Sequence, residues 1–165
     1  MQWRMSNSVK TISVIIVLGY FALAIAPTAN AGPLKPVTGE FTVIMQGADP
    51  NTGELIFEGP KGGEIPGHLA IRAAITRQTG VALHLQARWT LTTPWGETMD
   101  GENTLHLNTK SLHFNEHGII VDATGSLSER IGSFIVIRGE ISDLGFVPGV
   151  TEVTGQSTIV PSQAN

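Results

Sequence analysis

The chain has no cysteine, and among its 165 residues only one tyrosine, three tryptophans and six phenylalanines. Without cysteine there can be no disulfide and no lipid-modified cysteine of the bacterial lipoprotein kind, so any folded domain stands on its packed core. The shortage of aromatics leaves few of the stacking platforms that sugars and single-stranded nucleic acids prefer. Basic charge is scarce as well, with ten Lys and Arg against fourteen Asp and Glu. Two of the basic residues, Arg4 and Lys10, and no acidic ones fall before residue 32, so the remainder carries 8 basic against 14 acidic groups. That balance argues against nucleic acid, whose phosphates require a basic face, and against an anionic membrane surface. A long amphipathic helix is missing too.

What is present begins with a targeting pattern. Arg4 and Lys10 precede the apolar run Thr11 to Ala26, and Ala29-Asn30-Ala31 places small residues where a signal peptidase reads. The run is 16 residues, shorter than the ~20 of a bilayer-spanning helix, and no basic stop-transfer cluster follows. Residues 1–31 are therefore expected to be a cleaved secretory signal, the alternative being a retained anchor. The product would be exported, periplasmic or extracellular, with no stable membrane insertion after cleavage. The remaining 134 residues suit a single domain with a real core. The expected division is a flexible segment at 32–38, one β domain at 39–160 and a disordered tail at 161–165.

From Gly39 onward, short apolar runs are cut by glycine and proline every eight to fifteen residues or so, the pattern of an all-β sandwich or barrel. Phe41 to Gln46 and Glu54 to Glu58 alternate around Asp49-Pro50-Asn51-Thr52-Gly53, a first hairpin. Lys61-Gly62-Gly63 and Pro66-Gly67 read as an exposed loop. His68 to Thr76 alternates as a strand, although Ile71 and Ile75 also suit a helical face. Val81 to Leu91 is the clearest strand, with Leu83, Leu85, Ala87, Trp89 and Leu91 on one side and His84, Gln86 and Arg88 on the other. Thr92 to Gly101 reads as turn-rich, Asn103 to Asn108 as a strand that could continue to Phe114, and Asn115 to Gly118 as a turn. Ile119 to Ala123, Ser133 to Glu140 and a segment between Val150 and Val160 complete seven or eight strands. A small antiparallel β-barrel accommodates them better than an open sheet.

Gly118-Ile-Ile-Val-Asp-Ala-Thr-Gly125 followed by Gly132-Ser-Phe-Ile-Val-Ile-Arg-Gly139 resembles the strand–glycine–strand text of the allene oxide cyclase-like and dirigent-like barrels. The likeness spans about two dozen residues. It implies an eight-stranded barrel with an apolar interior able to hold a hydrophobic small molecule, in a family whose members have cyclase, stereocontrol or unassigned roles. No catalytic position carries over by alignment.

The residues capable of chemistry each have a plain structural reading beside the functional one. His113-Phe-Asn-Glu116-His117 invites a metal reading, but a turn need not aim both rings at one ion, and no metal or cofactor is assigned. His84 and His106 on strands, with Gln86 or Arg88, suit either a polar patch or a solvated sheet face, and His68 completes the five histidines. Asp122, Glu140 and Arg138 are the acid–base candidates, against outward-facing groups with a pair involving Arg138. Ser126 and Ser128 lack the rest of a nucleophile elbow, and no phosphate loop or dinucleotide fingerprint occurs. Trp95 sits in a turn as a contact residue or an ordinary exposed aromatic.

Three functions remain open. The first is binding of an apolar small molecule inside the barrel, lined by Leu83, Leu85, Trp89, Phe134 and Val136, in a cavity of order 300–1,000 Å³. The second is a cyclase- or isomerase-type enzyme using the same cavity, marked by an inward titratable group. The third is a structural or interaction protein with a filled core. The targeting pattern is tested by the intact mass of the chain recovered from its export compartment. A first residue of Gly32 is expected, and a retained Met1 would contradict the signal reading.

Overall fold

The computed structural model describes residues 34–162, so the signal expected at 1–31 and the last residues of the expected tail lie outside the described residues. Within them the chain forms eight strands: β1 (Val37–Ala48), β2 (Leu55–Lys61), β3 (Gly67–Thr79), β4 (Ala82–Thr92), β5 (Thr98–Asn108), β6 (His113–Ala123), β7 (Phe134–Ile141) and β8 (Glu152–Val160). Each pairs antiparallel with its neighbour in sequence, and β8 returns to β1, closing the barrel. Closure leaves no strand edge unpaired, which suits a fold without cross-links.

Alternation dictates which side chains turn inward. β4 shows it most clearly: Leu83, Leu85, Ala87, Trp89 and Leu91 are buried, and the residues between them are at least partly exposed. One end of the barrel is closed by Leu127, from the 3-10 turn Gly125–Arg130, and by Ile65 in the β2–β3 loop. At the other end Leu112, Leu144 and Phe146 pack on the core from the β5–β6 and β7–β8 loops. Leu112 and Phe146 hold φ of 62° and 48°, a left-handed backbone that side chains with a Cβ rarely adopt.

The interior is organised by large side chains set against glycines. Trp89 lies opposite Gly101 across β4–β5, Phe114 opposite Gly139 across β6–β7, and Phe41 opposite Gly155 across β1–β8. A Cβ on Gly101 would come 2.7 Å from the indole nitrogen of Trp89; on Gly139, 2.7 Å from Phe114 Cζ; and on Gly155, 2.6 Å from Phe41 Cζ. These separations are shorter than carbon or nitrogen atoms tolerate, so each large ring fits only because its partner has no side chain.

Several elements differ from the sequence expectation. β3 is a strand throughout His68 to Thr76, as expected. β5 begins at Thr98, inside the stretch read as turn-rich, and stops at Asn108 before a turn at Thr109–Leu112. β6 begins at His113, so Asn115 to Gly118 is strand. Val37 and Thr38, placed in a flexible segment, pair with Ile159 and Thr158.

Gly101→Ala should therefore cost about 1–3 kcal/mol of stability through overpacking against Trp89. Glu102→Ala, at an exposed position beside it, should stay within about 0.5 kcal/mol of the parent. Urea unfolding of both variants checks the pair, and equal effects would contradict the packing argument.

Candidate functional site

On β6, Phe114, Glu116, Gly118 and Ile120 share the inward phase, so alternation carries a carboxyl into the barrel. Glu116 is 6% exposed. On β5 the inward phase holds Met99, Gly101, Asn103, Leu105 and Leu107. Asn103 lies opposite Gly118, and its amide occupies the space that a Cβ on Gly118 would need. From there Asn103 Nδ2 donates to Glu116 Oε1 at 2.7 Å. Asn103 Oδ1 of this pair and Nε1 of Trp89, which lines a cavity together with Glu116, are buried with no hydrogen-bond partner among the described residues. Such atoms are rare in a purely structural core.

Two internal cavities meet at Glu116. The larger, about 50 Å³, is apolar apart from Glu116; Leu105, Leu107, Ile141 and Val153 line it, and Phe146 covers it. The smaller, about 20 Å³, adds Lys61, Trp89 and Ser157 to its lining. Both fall far short of the several hundred Å³ expected of a barrel pocket, because the rings set against glycines fill most of the interior. Lys61 is also inward, and its Nζ donates to the carbonyls of Ile65 at 3.1 Å and Gly62 at 3.3 Å.

Electrostatics separate the two ionisable groups. Burial pushes the Glu116 carboxyl up to about 7, and the hydrogen bond from Asn103 opposes that rise. Burial lowers Lys61, with Glu64 acting the other way. Near neutrality Glu116 therefore populates both its protonated and its ionised form.

The sequence candidates fall on both sides of the wall. Leu83, Leu85 and Trp89 are buried inside as expected. Phe134 and Val136 are not: they are 59% and 41% exposed, and Ile135 and Ile137 point inward in their place. With Ile119 they line an open depression of about 890 Å³ on the outer surface. The phase of β7 is ambiguous in the sequence because both of its sides are apolar. His113 and His117 stand on the outer face, with Glu116 between them turned inside, so the three do not converge. Glu140 faces outward 3.7 Å from His113, and Arg138 and Asp122 are exposed. Trp95 is exposed, its indole donating to Glu97 Oε2 at 2.9 Å. Among the described residues no three His, Asp or Glu side chains stand ready around one metal position.

Comparison with protein-family models, with curated proteins and with solved structures finds no match. In the sequence Glu116 reads only as a partner of His113 and His117, Asn103 as the start of a strand, and Lys61 as part of an exposed loop, whereas Lys61 ends β2 and is 6% exposed; Phe146 carries no sequence signal of a site. The available signal was phase, since Glu116 falls in step with Phe114 and Ile120, and Asn103 with Leu105 and Leu107.

The sign of the Glu116 contribution to stability is set by its raised pKa. The folded state holds the proton more tightly than the unfolded chain, so this contribution is fully present below about pH 4.5 and is lost as pH rises through about 7. Glu116→Gln removes this dependence. Relative to the parent, the variant should gain on the order of 3 kcal/mol between pH 5 and pH 8. Urea unfolding at the two pH values measures it, and parallel pH profiles would contradict a buried, ionising Glu116.

Proposed function

We propose that this protein binds a small, mainly apolar molecule inside the barrel and receives one hydrogen-bonding group of that molecule on Glu116. The observation that carries the reading is a single buried carboxyl whose partner is an amide, not a cation, facing an otherwise apolar cavity. A core that served packing alone would gain by an aliphatic residue there, since an unpaired carboxyl is costly to bury. Phe146, which lines the larger cavity, and Leu112, at the same end of the barrel, both sit on loops in left-handed backbone, the kind of feature that accompanies a site cover. At about 50 Å³ the closed cavity admits only a few heavy atoms, so a larger guest enters by displacing Phe146. The resemblance of Gly118–Gly139 to allene oxide cyclase-like and dirigent-like barrels points the same way, and the proposal places the binding protein outside the cytoplasm, exported under the signal read at 1–31.

A second reading, proton-transfer catalysis of the isomerase or cyclase kind, is favoured by one specific observation. Glu116 is an inward titratable group held near 7, where a carboxyl can both take and return a proton.

The reading is tested with two probes of similar shape, phenol and toluene, titrated into the protein while the methyl signals of Leu105 and Leu107 are followed by NMR. Phenol should bind about tenfold more tightly than toluene, the scale of one buried hydrogen bond. Glu116→Leu should erase the preference. Equal affinities in the parent, or no response from either methyl pair, would overturn it.

A further inference from the structure

The outer face of β6–β8 gathers apolar side chains that turn away from the core. Ile119, Phe134 and Val160 lie in one row across the three strands, and Val136 stands in the next row of β7, between His117 and Thr158. Val121 continues β6 beyond Ile119, and the turn carrying Ile131 is hydrogen-bonded to β6 at Ile120. These six side chains are 39% to 59% exposed. Together they leave on the order of 500 Å² of apolar surface in water, the upper range for one patch on a monomeric protein. Two charges flank the patch. Glu102 on β5 lies opposite Ile119 at one corner, and Arg138, further along β7 from Phe134 and Val136, lies at the diagonal corner. Both are exposed, and neither forms an ion pair among the described residues. Arg88 faces Glu102 across β4–β5, but its guanidinium is taken by Glu54.

We propose that this face holds a second copy of the chain in a two-fold dimer. A closed barrel offers no strand edge for pairing, so association has to use a face. A two-fold interface sets one patch against itself, so that a residue of one copy meets a different residue of the other, and the reverse. The register supplies what such a contact needs. With the axis in the plane of contact, along the diagonal from His117 to Val160, Arg138 of each copy comes over the partner's Glu102. The same axis passes between Phe134 and Val136, so the apolar side chains of the two copies meet along it and two ion pairs close the rim. Patch and rim together come to about the 800 Å² that each partner of a standard interface buries. The opposite charges at the two corners fix which way round the copies meet. The face lies outside the barrel wall, and the dimer does not rest on the proposed interior function.

The test is sedimentation velocity of the purified protein between about 1 and 100 µM, which should give a particle of twice the chain mass with a dissociation constant on the order of micromolar. Phe134→Asp should weaken the dimer at least about thirtyfold, the scale of a buried aromatic anchor. Val150→Asp, at a loop position 65% exposed and outside the patch, should leave it unchanged. Arg138→Glu and Glu102→Arg should each weaken association about tenfold, and the two together should restore it to within about threefold of the parent. Circular dichroism like the parent's establishes that each variant is folded. A parent that stays monomeric throughout this range leaves the face to a different partner and overturns the proposal. A trimer, parent-like association of Phe134→Asp, or a double variant no better than its singles would overturn it as well.

Discussion

Inside a small closed barrel the inward side chains of neighbouring strands compete for the same narrow space, and a large group fits only where the strand beside it presents none. Trp89 over Gly101, Phe114 over Gly139 and Phe41 over Gly155 solve that problem around the wall. The same solution places a polar group at Gly118, where Asn103 takes the free space and reaches Glu116. Packing and candidate site are thus one arrangement. The glycines that let the rings in also limit the remaining space to two cavities that meet at one carboxyl.

That carboxyl is the least economical choice for the position if packing is all that matters. It loses hydration, gains a single amide donor, and finds no cation in compensation among the described residues, so its pKa is pushed up to about 7. Lys61, also inward, is satisfied by the carbonyls of Gly62 and Ile65 at the barrel end and leaves Glu116 unpaired. The larger cavity is walled by apolar side chains, and the carboxyl is the one polar group in that lining. The outer face is a different environment, where charges pair in water: Arg72 with Asp49 at 3.1 Å and Arg88 with Glu54 at 2.7 Å.

Much of the barrel is legible in the sequence because alternation reports directly on which side faces the core. β4 reads without ambiguity from Leu83 to Leu91, and β3 resolves to a strand despite the helix-compatible spacing of Ile71 and Ile75. The misreadings share a physical cause. Asp100-Gly101 and Asn115-Glu-His-Gly118 have turn composition, yet Gly101 and Gly118 lie within strands because large groups on the next strand need their space. A glycine required by a distant ring looks the same in sequence as one required by a turn. Phe134 and Val136 point outward for a related reason: both faces of β7 are apolar, so phase is decided by pairing with β6 and β8. Glu116 was visible as a residue but not as an interior one, since reading its segment as a turn removed the phase that places it inside.

The central claim, a buried carboxyl held near neutrality inside the barrel, is tested most directly by following the side-chain carboxyl carbons of glutamate by NMR from pH 3 to pH 9. Glu116, assigned by its absence in Glu116→Gln, should titrate with a midpoint near 7. A midpoint between about 4 and 5, the ordinary range for a solvated glutamate, would contradict the account.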